Sequence, residues 1–173
     1  MSATVNHGGL QLISTLFSYP GGPVYTPMPP ELQGDSETAL LAERGDLAPI
    51  ILENEYVRLF VNAMPELPCA PYGSVYLEGT LLGGSTQKVA AIYRKYGIES
   101  NEPADHIAVE SEFLAWLHGQ PADDVDARKD FEYLLGHLRQ WSEPFFKTVE
   151  EHDRLGYFRR SAELARKILA GSL

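Results

Sequence analysis

Asn101-Glu102-Pro103-Ala104-Asp105-His106, running into Ile107-Ala108-Val109-Glu110-Ser111-Glu112-Phe113-Leu114-Ala115-Trp116-Leu117-His118, decides how this chain folds. Proline suits a first helical position, because its ring presets the backbone angle and the N–H it lacks would go unpaired there. An acid in the first turn, here Asp105, suits the positive end of the helix dipole. The spacing therefore predicts a strongly apolar helix from about 103 to 118 with Gly119 as its stop. Neither requirement asks for His106 next to Asp105. A carboxylate, an imidazole and a proline gather where a helix starts, which is more polar chemistry than a start needs.

The same period recurs on both sides of this helix. Leu10, Ile13, Leu16 and Phe17 form one stripe that ends at Pro20, and residues 20–34 read as an irregular connection rich in Pro and Gly. Asp35 or Ser36 caps a predicted helix through Ala42, stopped by Gly45. Asp46 caps the next, with Ile50, Ile51, Tyr56, Leu59 and Phe60 on its apolar side. Regularity fails from Met64 to Gly84, where Val75 to Leu82 is the only strand-like stretch. Beyond it, Val89, Ile92, Tyr93 and Tyr96 mark a helix stopped by Gly97. Asp123 or Asp124 begins another, striped by Phe131, Leu134, Leu135, Leu138 and Trp141. Ser142-Glu143-Pro144 reads as a turn before a short helix at 145–151, and a last helix spans about 156–170. The expectation is an all-α fold of about seven or eight helices in one globular domain. Two lobes, 1–97 and 103–173, would meet at a hinge near 97–103.

The 173 residues suffice for one domain with a real core, and 44 % hydrophobic with 22 % charged residues is ordinary globular composition. A net charge of −10 argues against nucleic acid, whose phosphates require Lys/Arg stripes. It suits a basic partner, although solubility alone also accounts for it. Cys69 is the only cysteine, so no intrachain disulfide and no thiolate zinc cluster is expected. Met1 to Leu16 holds no Lys or Arg and no long apolar run, unlike a signal peptide, and no stretch reaches membrane-spanning length. The expectation is a soluble cytoplasmic protein.

Motifs for catalysis are weak. No His-x3-His pair exists among His7, His106, His118, His137 and His152, and His106 with Glu110 at i, i+4 makes too few ligands for a metal. Ser74 lacks the second glycine of a nucleophile elbow. Gly83-Gly84-Ser85-Thr86-Gln87-Lys88 opens a helix and offers N–H groups to a phosphate, but Ser85 as an N-cap explains it more simply. The loop holding Met64, Pro68, Pro71, Tyr72 and Tyr76 is different. Aromatics, proline and methionine in a long loop suit an adaptable peptide-binding groove, and equally a core.

Glu102-Pro103-x-Asp105-His106 ahead of an apolar helix, together with Arg58-Leu59-Phe60-Val61 and Pro71-Tyr72-Gly73-Ser74-Val75-Tyr76, resembles the TorD/DmsD/NarJ family of molybdoenzyme maturation chaperones. The resemblance runs from about Tyr56 to the C-terminus and takes in Gly83-x-Ser85-Thr86 and Trp141-Ser142…Phe145. The pattern is nearest the DmsD branch, although positions that are tryptophan there are Tyr56, Met64, Tyr72 and Tyr76 here. The resemblance implies a helical, non-catalytic chaperone with no metal or cofactor of its own. It would bind the twin-arginine leader of a molybdopterin oxidoreductase precursor, assist its apo catalytic subunit, and delay delivery to the Tat translocase. Matching motif to motif, Pro103, Asp105 and His106 would contact the leader, with Tyr56, Leu59, Phe60, Pro71, Tyr72 and Gly73 as the apolar side, and Asp105, Glu102 and Glu110 are the acids able to form charge-assisted hydrogen bonds with its arginines. The alternatives are a NarJ-like chaperone that engages mainly the mature subunit, and a small enzyme using Asp105 and His106 as an acid–base pair.

Overall fold

The computed structural model describes residues 5–21, 47–63 and 66–171. The predicted helix at 35–42, its Gly45 stop, the Asp46 cap, Met64 and most of the 20–34 connection lie outside them. Seven α-helices are present among the described residues, in chain order α1 (His7–Phe17), α2 (Pro49–Tyr56), α3 (Gly73–Glu78), α4 (Gly84–Lys95), α5 (Ile107–His118), α6 (Val125–His152) and α7 (Tyr157–Ala170). A π-helical turn, Val57–Val61, continues α2. The fold is all-α, as expected. No helix among the described residues is long and apolar enough to cross a membrane.

The apolar stripes find one another in a single core. Helix α1, whose first turn is capped by Asn6 through the Gly9 N–H, packs on α5 and α7, and α6 packs on α5, α7 and α3. Phe17, Phe60, Phe145 and Phe146 meet at ring-centroid distances of 5.4–6.1 Å in mostly tilted and edge-on pairs. Such pairs contribute about 0.5–1.5 kcal/mol each beyond area burial. Tyr56 closes the cluster and donates its hydroxyl to the Phe17 carbonyl at 3.1 Å.

Several expectations are corrected. Ser142-Glu143-Pro144 is no turn, since α6 is one helix of 28 residues with Pro144 inside it. Pro144 and Gln140 are both exposed, so the Gln140 carbonyl that proline cannot satisfy is open to water. The strand-like Val75–Leu82 instead begins within α3, which ends at Gly79 with φ +70°. Ile50 and Ile51 are exposed, because the buried face of α2 and its π turn runs through Leu52, Tyr56, Leu59 and Phe60. The helix predicted from 103 starts at Ile107, with His106 as its N-cap. Ser85 does not cap α4. The Glu78 carboxylate does so, accepting from the Gly84 and Ser85 N–H groups at 2.7 Å each. The chain's own carboxylate thus occupies the place a phosphate would take.

Candidate functional site

After bends at 66 and 68–69 the chain is extended at Tyr72, where it runs antiparallel to His106 in an isolated bridge. The Gly73 N–H donates to the Asp105 carbonyl at 3.0 Å and the Ile107 N–H to the Pro71 carbonyl at 2.9 Å. Asp105 is fully buried, and its Oδ2 accepts from the Ser74 N–H at 2.7 Å. Its carboxylate therefore caps α3 instead of starting its own helix. The two motifs are stitched into one unit.

His106 belongs to the same unit. Its Nδ1 accepts from the Ala108 N–H at 3.1 Å, which only the neutral ring can do. Burial pushes the imidazole down to about 4, against an upward pull from the Asp105 carboxylate. The Tyr72 ring meets it edge to face, 5.3 Å between centroids. An imidazole held neutral as a helix cap is poorly placed to take a proton near neutral pH.

Behind the bridge, α5 and α6 share a buried polar pair. Glu110 accepts from His137 Nδ1 at 2.6 Å and from Trp141 Nε1 at 3.4 Å. Burial raises the Glu110 pKa despite those hydrogen bonds. Burial lowers that of His137, but the bond to Glu110 more than offsets it and the net shift is upward. Glu110 is thus committed to His137, not to a metal shared with His106. Among the described residues no group of three or more His, Cys, Asp or Glu is placed to hold a metal ion.

Gly73 lies against this pair. A Cβ there would stand 2.7 Å from Trp141 Nε1 and 2.9 Å from its Cδ1, and Trp141 is fully buried. Gly73→Ala should therefore cost about 1–3 kcal/mol in urea unfolding, the usual range for overpacking. An unchanged midpoint would show that α3 can shift without loss.

A cleft of about 400 Å3 opens beside the bridge. Tyr56, Phe60, Tyr72, Glu102 and His106, five of the ten residues selected from sequence, line it. Leu59, Pro71, Gly73, Pro103 and Asp105 do not: Leu59 is core, Pro71, Gly73 and Asp105 build the stitch, and Pro103 lines an adjoining hollow with Glu102. Tyr19, Val61 and Val109 also line the cleft and were not anticipated. Val109 carried a signal, one helical turn beyond His106 on the same face. Tyr19, just past the end of α1, carried none. Burial first, and then the Glu102 and Asp105 carboxylates, raise the pKa of the Tyr72 phenol. The cleft combines aromatic walls with a negative field, which favours a cationic, partly apolar guest.

The nitrate reductase delta subunit family matches residues 30–147. The chain belongs to the TorD/DmsD/NarJ family. Among the relatives of this member is the chaperone protein TorD of Photobacterium profundum, 30 % identical over 130 residues, covering 68 % of this chain and 60 % of that one. TorD of Escherichia coli O81 (strain ED1a) is 29 % identical over 140 residues, covering 75 % and 65 %. The chain spans less than two thirds of the length of these curated relatives. A crystal structure of a putative redox enzyme maturation protein from Archaeoglobus fulgidus superposes with a TM-score of 0.67 at 29 % identity, covering 94 % of this chain and 93 % of that one. The TorD/DmsD/NarJ relatives are chaperones and maturation proteins, not enzymes, which removes the acid–base alternative.

Proposed function

We propose that this protein is a cytoplasmic chaperone of molybdoenzyme maturation, and that the cleft at the Tyr72–His106 bridge holds the twin-arginine leader of its client. Family membership supports the chaperone, and the bridge supports the site: it joins the two motifs so that Tyr72, Glu102 and His106 line one cleft. In this reading the exposed Glu102 carboxylate accepts a guanidinium in charge-assisted hydrogen bonds. Tyr19, Phe60, Tyr72 and Val61 cover the apolar part of the leader, at about 25 cal/mol per Å2 buried before ordering costs. Asp105 acts from behind, through its charge and its grip on α3, and not by contact. While held, the leader is kept from the Tat translocase and the apo catalytic subunit can receive its cofactor.

Calorimetric titration with the leader of a molybdopterin oxidoreductase and with its Lys-Lys version tests this. The wild-type leader should bind, the Lys-Lys version about tenfold more weakly, and Glu102→Gln should narrow that gap. Equal affinity for both leaders, or none for either, would defeat the leader-binding claim. Binding only to the mature subunit would favour the NarJ-like alternative.

A further inference from the structure

A second cleft, of about 410 Å3, lies along the outer face of α5. Val109 lines both clefts, so the two adjoin at this residue. Its wall is aromatic. Trp116 stacks on Phe113 at 5.5 Å and 16°, meets Tyr96 edge-on at 5.1 Å, and keeps 39 % of its surface exposed. Phe113 is itself backed by Tyr93 at 4.1 Å. Its rim is acidic: Glu99 and Glu112, both exposed, line it, and no lysine or arginine does. Arg94 lines an adjoining hollow that shares Glu99 with this cleft.

A partly exposed tryptophan that shares a cleft with two carboxylates is the chemistry that receives a guanidinium or ammonium group. The ring quadrupole attracts the cation from one side, the carboxylates neutralise it from the other, and tryptophan is the strongest aromatic partner. A helix rises about 1.5 Å per residue, which puts Trp116 roughly 15 Å from His106 along the axis. An extended chain crosses that distance in about four or five residues.

We propose that the Trp116 cleft is a second, cation-selective subsite, which takes a basic side chain of the bound peptide about four or five residues from the part that lies against His106. The inference rests on the peptide-binding reading above and fixes the register of the peptide on α5.

Trp116 and Trp141 are the two tryptophans, and Trp141 is fully buried, so a quencher in solution reports on Trp116. Nα-acetylarginine amide should quench this emission saturably, and Nα-acetylleucine amide should not. The Glu99→Gln/Glu112→Gln double variant, with two surface changes, should weaken the arginine response about tenfold. Equal responses to the two amides, or an unchanged response in the double variant, would overturn the subsite. With the leader itself, replacing the basic residue at that spacing by glutamine should weaken binding about tenfold to the wild type and leave binding to the double variant unchanged. An equal loss in both proteins would overturn the register. If the amide quenches Trp116 while the leader does not bind, the leader reading falls and the cation site stands. If the leader binds and the amide leaves Trp116 untouched, the subsite falls alone.

Discussion

His137→Ala should lower stability by about 3–5 kcal/mol, because it strands a fully buried carboxylate. Glu110 would keep only the 3.4 Å contact from Trp141 Nε1, a poor substitute for the 2.6 Å bond from His137. Urea unfolding should show the loss. A Glu110→Leu/His137→Leu double variant should lose much less than His137→Ala, since no charge is then left unpaired. Equal losses would mean that packing, not the pair, governs the site. The pair also sets an alkaline limit. The folded-state pKa of His137 lies above its ordinary value, so its stabilising contribution is fully present below about pH 6.5 and is lost as pH rises through the folded value. The upward shift of Glu110 acts in the same direction. Stability should fall on the alkaline side in the wild type and stay flatter in the double variant.

The acid side belongs to His106. Its folded pKa of about 4 lies below its unfolded value of 6.5, so the unfolded chain binds the proton that the folded chain refuses. The contribution is complete above pH 6.5 and is lost as pH falls toward 4, at about 1.4 kcal/mol per pKa unit, or roughly 3 kcal/mol in all. The mechanism is visible in the cap: a proton on Nδ1 would confront the Ala108 N–H with a second donor. His106→Asn keeps an acceptor at the N-cap and removes the titration. Its stability should therefore fall less than that of the wild type as pH drops from about 6.5 to 4. A fall as steep as the wild type's would refute the assignment.

Much of this architecture is legible in the chain. The stripe from Val89 to Tyr96, the apolar run after His106 and the Asp124 cap each fix a helix through contacts only a few residues apart. What escapes is whatever depends on distant residues. Helix α3 is too short for a stripe, and its cap is Asp105, 31 residues away from Ser74. Its glycine serves a close approach to Trp141 that no local pattern encodes. Pro144 reads as a break because the exposure of Gln140 cannot be read from spacing. The candidate site divides likewise: the motifs name two segments that the fold brings together, but whether a residue lines the cleft or braces its wall depends on burial. Asp105 and Glu102 are both carboxylates able to accept an arginine, but Asp105 is sealed inside, leaving Glu102 at the cleft. Glu110 did carry a hint, as an acid on the inward face between Ile107 and Leu114.

The antiparallel stitch between Tyr72 and His106 also governs when the protein becomes competent. The segment that precedes Glu102 carries only one wall of the cleft, so a chain emerging from the ribosome has no complete cleft until the second motif has followed the first and docked on it. Contacts so far apart in sequence close late, after local helices have formed. On the leader-binding proposal, only the finished molecule would then hold a client's leader.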